Sequence, residues 1–288
     1  MKRLFAFGCS FTNYAWPSWA DMLGNNFDYY ENWAWPGLGN RGIAERVAEC
    51  YARNKFTKED TVIIQWSSHI RHDWFKTNTP DNRGWQTQGS IFNYLNEDTF
   101  DRKWIDTFWD ERAYFVHSMN AILLTQGILN SSGCKWKMTT IADIEKLGAD
   151  YPESKESHGE VIGSITDIWK ENEELSIYKK SIFEDNSDKW ITPLGLHAWN
   201  NIDTSYKFRD KRYPSKWIDY HPSIDQHKEW LYNNLIPSLG LSQIVPDQTK
   251  KWIDNINNIY ENSRYDFDTF CGNINNNLKD WKTSYRGF

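Results

Sequence analysis

What the chain lacks narrows it first. Its four cysteines, Cys9, Cys50, Cys134 and Cys271, are widely separated and never fall in C-x-x-C spacing. That argues against a structural zinc site and against a disulfide framework, and they read as reduced, mostly buried thiols. No apolar run approaches the ~20 residues of a membrane span. Lys2 and Arg3 make a basic start, but the apolar run Leu4–Phe7 is too short for an export signal. The expectation is a soluble chain made in the cytoplasm, with no membrane partner; a place in a virion or another large particle stays open. Positive charge is not in excess: 33 basic residues face 39 acidic ones, for a net charge of -6. A mixed, mildly acidic chain gives no electrostatic reason to expect nucleic acid as a partner. There is no internal repeat, and only Asn273–Asn277 is of low complexity.

Aromatic residues are what the chain has in quantity. It carries 17 Trp, and 16% of its 288 residues are Phe, Trp or Tyr. With a mean hydropathy of -0.76, its apolar content lies in rings and not in aliphatic runs. Such rings build cores, and they also stack on sugars and other flat faces.

The first third alternates strand and helix signals. Residues 2–8 read as a buried strand, and 16–23 as a helix opened by Pro17 and closed at Gly24. Residues 27–34 read as a weaker strand. Asn40 is placed to cap a helix to about residue 54, where Ile43, Val47 and Tyr51 share a face. Thr61–Trp66 is short and β-branched, the strongest strand signal in the chain. This order implies parallel strands with right-handed crossovers. Residues 75–110 read as an aromatic-rich insertion, about 111–130 as a long helix, and Cys134–Ile141 as a fourth strand. Residues 145–215 read as a second insertion, charged and irregular. Ser223 and Gln226 have capping-box spacing at the start of a helix. The expected organisation is one α/β unit over 1–245 with two insertions, and a helical extension over 246–288 packed on it.

In open parallel sheets, chemistry collects beyond the carboxyl ends of the strands. Three segments leave such ends: Gly8-Cys9-Ser10, Pro36-Gly37-Leu38-Gly39-Asn40, and Trp66-Ser67-Ser68-His69-Ile70-Arg71. A serine becomes a nucleophile when a base takes its proton, and a histidine does so best when an acid holds its ring. The oxyanion that forms needs aimed donors. Ser10 follows the first strand. Gly37–Asn40 makes a small-residue turn at a helix start, where free N–H groups are expected to face outward. Asp219 and His221 stand together in "DYHPS" before the last clear helix.

In this arrangement the chain resembles the SGNH, or GDSL-like, hydrolase superfamily. Gly8-Cys9-Ser10 stands where that family has G-D-S, "NWAWPGLGN" (Asn32–Asn40) fits its second block, and "WIDYHPSIDQH" carries its His-Pro at His221-Pro222. The resemblance implies a flavodoxin-like three-layer α/β/α sandwich with a parallel sheet of about five strands. It implies Ser10 as nucleophile, His221 as base and Gly37 as a backbone oxyanion donor, without cofactor or metal. G-C-S-F-T with a later W-S-S-x-x-R also resembles small SGNH-like proteins encoded by tailed phages.

Three positions depart from the family pattern. Cys9 replaces the Asp of G-D-S. The acid Asp219 lies two residues before His221 and not three, which leaves Asp225 and Asp73 as alternatives. Gln65-Trp66-Ser67-Ser68 replaces the third block G-x-N-D, so that its Asn is missing. Asn40 or Ser67 then stands in for the lost side-chain donor, and Arg71 is placed to point into the site. His69, His72 and Asp73 have metal-ligand spacing but lack a further strong ligand; His227 reads as a solvated or capping residue. The expected function is a serine esterase, of acetylesterase type, acting on a small-molecule or carbohydrate ester. The alternatives are a non-catalytic binding or structural protein on the same fold, and an acyltransferase using the same three side chains.

Overall fold

The structure, a computed structural model, describes residues 1–75, 85–90, 102–108, 110–141, 173–201, 204–209, 216–219, 221–278 and 281. Its centre is a four-stranded parallel sheet built from β1 (Arg3–Phe7), β2 (Tyr29–Asn32), β3 (Thr61–Trp66) and β6 (Lys135–Thr140), in the order β2-β1-β3-β6. Connections wind outward in opposite directions from β1 and β3. That is the flavodoxin-like pattern, whose switch point opens a crevice at the carboxyl ends of these two strands. The resemblance implies a fifth strand. Among the described residues its position holds a single parallel bridge between Met138 and Trp190, with Ile191 N donating to Met138 O at 2.9 Å. Pro193, which has no N–H to donate, follows at once, and the chain turns into a helix.

Strand residues alternate between two cores. Leu4, Ala6 and Ile63 face one cluster; Phe5, Phe7, Val62, Ile64 and Trp66 face the other. The second is covered by α2 (Asn40–Asn54) and α4 (Glu111–Ser132), through Ile43, Val47, Phe115, Met119 and Ile122. The first is covered by α1 (Trp19–Gly24), α6 (Ile224–Trp230), α7 (Asp247–Asn262) and α8 (Phe267–Asn277). It is the ring-rich side: Trp16, Trp19, Trp230, Phe208 and Phe270 are all fully buried there. Helices on both faces of a parallel sheet make the expected three layers.

Several boundaries move for local reasons. Ser18, not Pro17, opens α1, with a complete capping box to Asp21. Gly39, not Asn40, is the N-cap of α2. After β3 the chain forms an antiparallel hairpin of β4 (Arg71–Phe75) and β5 (Trp85–Ser90), and then α3 (Arg102–Phe108). Residues 76–84, 91–101 and Trp109, and the side chains of Phe75 and Trp85, fall outside the described residues. So do 142–144 and, within the second expected insertion, 145–172, 202–203 and 210–215. Its described part is not irregular: α5 (Leu194–Asn200) leads to a two-stranded pair of β7 (Lys207–Arg209) and β8 (Lys216–Ile218), and Leu194, Tyr206 and Phe208 are buried in the core.

Candidate active site

Gly8 ends β1. A Cβ there would lie 2.2 Å from Thr12 Oγ1 and 3.1 Å from Gln65 O, so only glycine lets the chain turn this close to β3. The N–H groups of Thr12 and Asn13 both reach Cys9 O, at 3.0 and 3.1 Å. This tight turn sends the neighbouring side chains of Cys9 and Ser10 to different places. Cys9 is wholly buried in the ring-rich core. Ser10 Oγ lies 2.9 Å from His221 Nε2.

The histidine comes from the other end of the chain. Its Nδ1 is 2.7 Å from Asp219 Oδ1, and the same oxygen accepts the backbone N–H of His221 at 2.9 Å. A carboxylate that binds the N–H two residues on is an Asx-turn. This is how a spacing of two brings acid and base together. Trp16 Nε1 donates to Pro222 O at 2.9 Å, and Ser223 with Gln226 caps α6. The loop is therefore fixed on both sides of His221. Asp219 is 1% exposed, while a quarter of the His221 side chain reaches solvent.

The other candidate acids are engaged elsewhere. Asp225 accepts from Asn257 Nδ2. Asp73 closes the N-terminus of α2: Gly39 N reaches both its oxygens, at 2.9 and 3.0 Å, and Gly42 N reaches Oδ2 at 3.0 Å. A Cβ on either glycine would come within 2.8 Å of Asp73 Oδ2. This corrects the expectation that the N–H groups of this helix start face an open site. It also removes Asp73 as a metal ligand. Among the described residues, no group of three His, Cys, Asp or Glu is placed to hold a metal. His69 is buried with its ring edge-on to Phe115. His72 Nδ1 is 2.9 Å from Tyr114 Oη, with Trp74 and Trp104 packed edge-on, and burial lowers its pKa. His227 is not solvated but fully buried; burial, helped by the charge of His221, pushes its pKa down to about 3 and keeps it neutral.

The expected donors divide. Trp33 N and Trp35 N continue the β2 pairing onto Ala6 O and Gly8 O. They set the Trp35–Leu38 turn, with Pro36 and then Gly37 at φ 82°, beside the end of β1. Leu38 N closes that turn on Trp35 O, and only glycine suits the left-handed position. Arg71 Nη1 donates to Leu38 O at 3.2 Å, holding the turn from outside. Asn40 does not offer its amide to a substrate. Its Nδ2 donates to Ser67 O and Ser118 Oγ, and its Oδ1 accepts Ser67 N at 2.7 Å. These bonds clamp the turn after β3 to α2. The Ser67 hydroxyl is buried and has no hydrogen-bond partner among the described residues.

One residue of the site carried no sequence signal of its own. Tyr14 stacks on the His221 ring, centroids 3.7 Å apart and planes 15° from parallel, and its hydroxyl donates to Asp219 Oδ2 at 3.1 Å. Its only marker in the sequence is its place four residues after Ser10.

No family model matches the sequence, and no curated protein matches it. Among the solved structures that the chain is similar to are two at low identity. One is a member of the lipolytic protein G-D-S-L family from Veillonella parvula, at 12% identity and a TM-score of 0.41, over 81% of this chain and 95% of that one. The other is the protein YxiM from Bacillus subtilis, at 12% identity and a TM-score of 0.43, over 84% of this chain and 58% of that one.

Proposed function

We propose that the chain is a serine hydrolase of SGNH/GDSL-like esterase type. The observation that carries this reading is the continuous run of contacts from Ser10 Oγ to His221 Nε2 at 2.9 Å and from His221 Nδ1 to Asp219 Oδ1 at 2.7 Å. Asp219 holds the proton on Nδ1 and leaves Nε2 as the base. Ser10 attacks the acyl carbonyl while its proton passes to His221. The imidazolium then protonates the departing alcohol, and water, activated the same way, releases the acyl group from Ser10.

The oxyanion is assigned to the backbone N–H groups of Ser10 and Gly37, with the Ser67 hydroxyl in the role of the absent Asn. A buried hydroxyl without a partner carries an unmet cost of about 1–3 kcal/mol, which an oxyanion would relieve. Arg71 acts here as a brace for the Gly37 turn. The alcohol part of the substrate is assigned to a carbohydrate. Trp74 of β4 and Phe108 of α3 are exposed, and β4 is tied to α2 through Asp73; rings of this kind stack on sugar faces.

A fluorophosphonate probe and a set of acetyl esters test the reading. The intact protein should be labelled on Ser10 and should cleave an acetyl ester, and Ser10→Ala should remove labelling and lower kcat by about a millionfold. A folded protein that neither reacts with the probe nor hydrolyses any of the esters overturns it.

A further inference from the structure

We propose that Tyr14 is a positioning residue for proton transfer, its ring holding the imidazole of His221 and its hydroxyl holding the free oxygen of Asp219. The proposal rests on the hydrolase reading for its kinetic consequences. Its geometric basis is independent of that reading.

One side chain touches two members of the Ser-His-Asp set. Asp219 Oδ1 is fully used by His221, through Nδ1 and the backbone N–H. Oδ2 faces the Tyr14 hydroxyl at 3.1 Å. The carboxylate is thus fixed against rotation at both oxygens. On the other member, a ring 3.7 Å away and 15° from parallel blocks the imidazole from turning out of line with Ser10. Phe11 meets the imidazole edge-on at 5.3 Å. Tyr14 is itself held by the edge of Trp16, at 4.7 Å and 89°, the same indole whose N–H binds Pro222 O. One aromatic bracket therefore spans the loop after β1 and the loop that carries His221.

The bracket does more than pack. A π-face attracts a cation, so the Tyr14 ring favours imidazolium over imidazole. During turnover the neutral base becomes imidazolium as it takes the Ser10 proton, so the contact is stronger in the transition state than before it. The hydroxyl acts in the opposite sense. It draws charge from Asp219 and tempers the pull of the carboxylate on the imidazolium. Burial and the Asp219 charge raise the Tyr14 pKa far above its ordinary value, which keeps the hydroxyl a donor. Among the described residues, the other titratable groups whose charges act on this set are His227, on His221, and Cys271, on Asp219.

Tyr14→Phe keeps the ring and removes the hydrogen bond; Tyr14→Leu removes both. The full chain is compared in three forms by pH–rate profiles on an acetyl ester and by NMR titration of the His221 ring protons. Tyr14→Phe should move the acid-side midpoint of kcat/KM, and the NMR midpoint with it, upward by about half a pH unit, because the untempered carboxylate favours imidazolium. Tyr14→Leu should lower kcat about tenfold below Tyr14→Phe with KM within about twofold. Wild-type midpoints in Tyr14→Phe together with wild-type kcat in Tyr14→Leu, even with lowered melting temperatures, overturn the proposal. If the wild type cleaves no ester, the hydrolase reading fails, and the NMR midpoint alone decides the role of Tyr14.

Discussion

The loop after β1 and the turn after β3 leave the same edge of the sheet, and they use their polar groups in opposite ways. In the first, Ser10, Thr12, Asn13, Tyr14, Trp16 and Ser18 all have hydrogen-bonded side chains: to His221 Nε2, Gln65 Oε1, Ala34 O, Asp219 Oδ2, Pro222 O and Thr12 O in turn. At the second, Gln65 Nε2 and Trp66 Nε1 of the last two β3 residues and Ser67 Oγ of the turn are buried and have no partner among the described residues. Buried donors are nearly always satisfied. Three unsatisfied ones in a row set this strand end apart from the first. The first loop is preorganised by the protein alone; the second holds hydrogen-bonding capacity in reserve. In the proposed hydrolase, the first would position the nucleophile and the Ser67 hydroxyl of the second would receive the oxyanion.

Each region also meets a buried carboxylate, Asp219 at the first through Tyr14 and Asp73, in β4, just beyond the second, and removing each in turn is the strongest way to break the comparison. Asp219→Asn should lower kcat by about ten-thousandfold, because an amide favours the wrong imidazole tautomer. Its effect on folding should be small. Asp73→Ala should do the reverse. It strips the acceptor from Gly39 N and Gly42 N and should cost about 2–3 kcal/mol in chemical denaturation, while a protein still folded keeps most of its turnover. Equal kinetic damage from the two variants would mean that the contrast between a chemical and a structural acid is wrong.

The next test sets Ser67 against Thr12. Ser67→Ala removes a hydroxyl with no hydrogen-bond partner among the described residues, so stability should hold or rise slightly. Kcat should still fall about a hundredfold if that hydroxyl meets the oxyanion. Thr12→Val removes a bond that is made, Thr12 Oγ1 to Gln65 Oε1 at 2.8 Å, and strands the glutamine further. It should cost about 1–3 kcal/mol in stability, measured by denaturant titration. A Ser67→Ala protein that is destabilised and fully active would reverse the reading of the second region.

How far the sequence revealed these regions follows from the range of the forces that shape them. β3 was legible because Thr61–Trp66 is β-branched and short, and the turn Gly8-Cys9-Ser10 because small residues follow an apolar strand. Asp219 and His221 were legible as a pair because both lie within one local turn. The cap of α2 was misplaced by one residue, since Asn40 is drawn away to Ser67, 27 positions on. β4 was missed because Arg-His-Asp-Trp-Phe has no alternation of its own; its Asp73 turns inward to serve two glycines of another element. The fifth strand, expected from the resemblance alone, had no local signal, and among the described residues a single bridge at Trp190 stands in its place. Tyr14 was invisible for the same reason, its partner Asp219 lying 205 residues away.

The smallest expected effect concerns the anchor of the first loop. Ser18 Oγ holds Thr12 O, and Ser18 N donates to Asp21 Oδ2 at 2.8 Å. Burial raises the Asp21 pKa to about 6, only partly opposed by its bonds from Ser18 and Tyr30. A carboxyl whose folded pKa lies above its unfolded value of about 3.8 takes up a proton on folding between those limits. Stability should therefore fall as pH rises from about 4 to about 6, by on the order of 2–3 kcal/mol, and level off above that. Asp60 works on the other side. Its pairing with Arg3 at 2.6 Å lowers its pKa, so its contribution is present above about pH 3.8 and lost below that. Because the two windows do not overlap, Asp21→Asn should flatten the slope of unfolding free energy between pH 4 and 6 and leave the acid limb below pH 3.8 in place. An unchanged slope in that variant would show that the first loop rests on its hydrogen bonds alone, with no proton held beneath it.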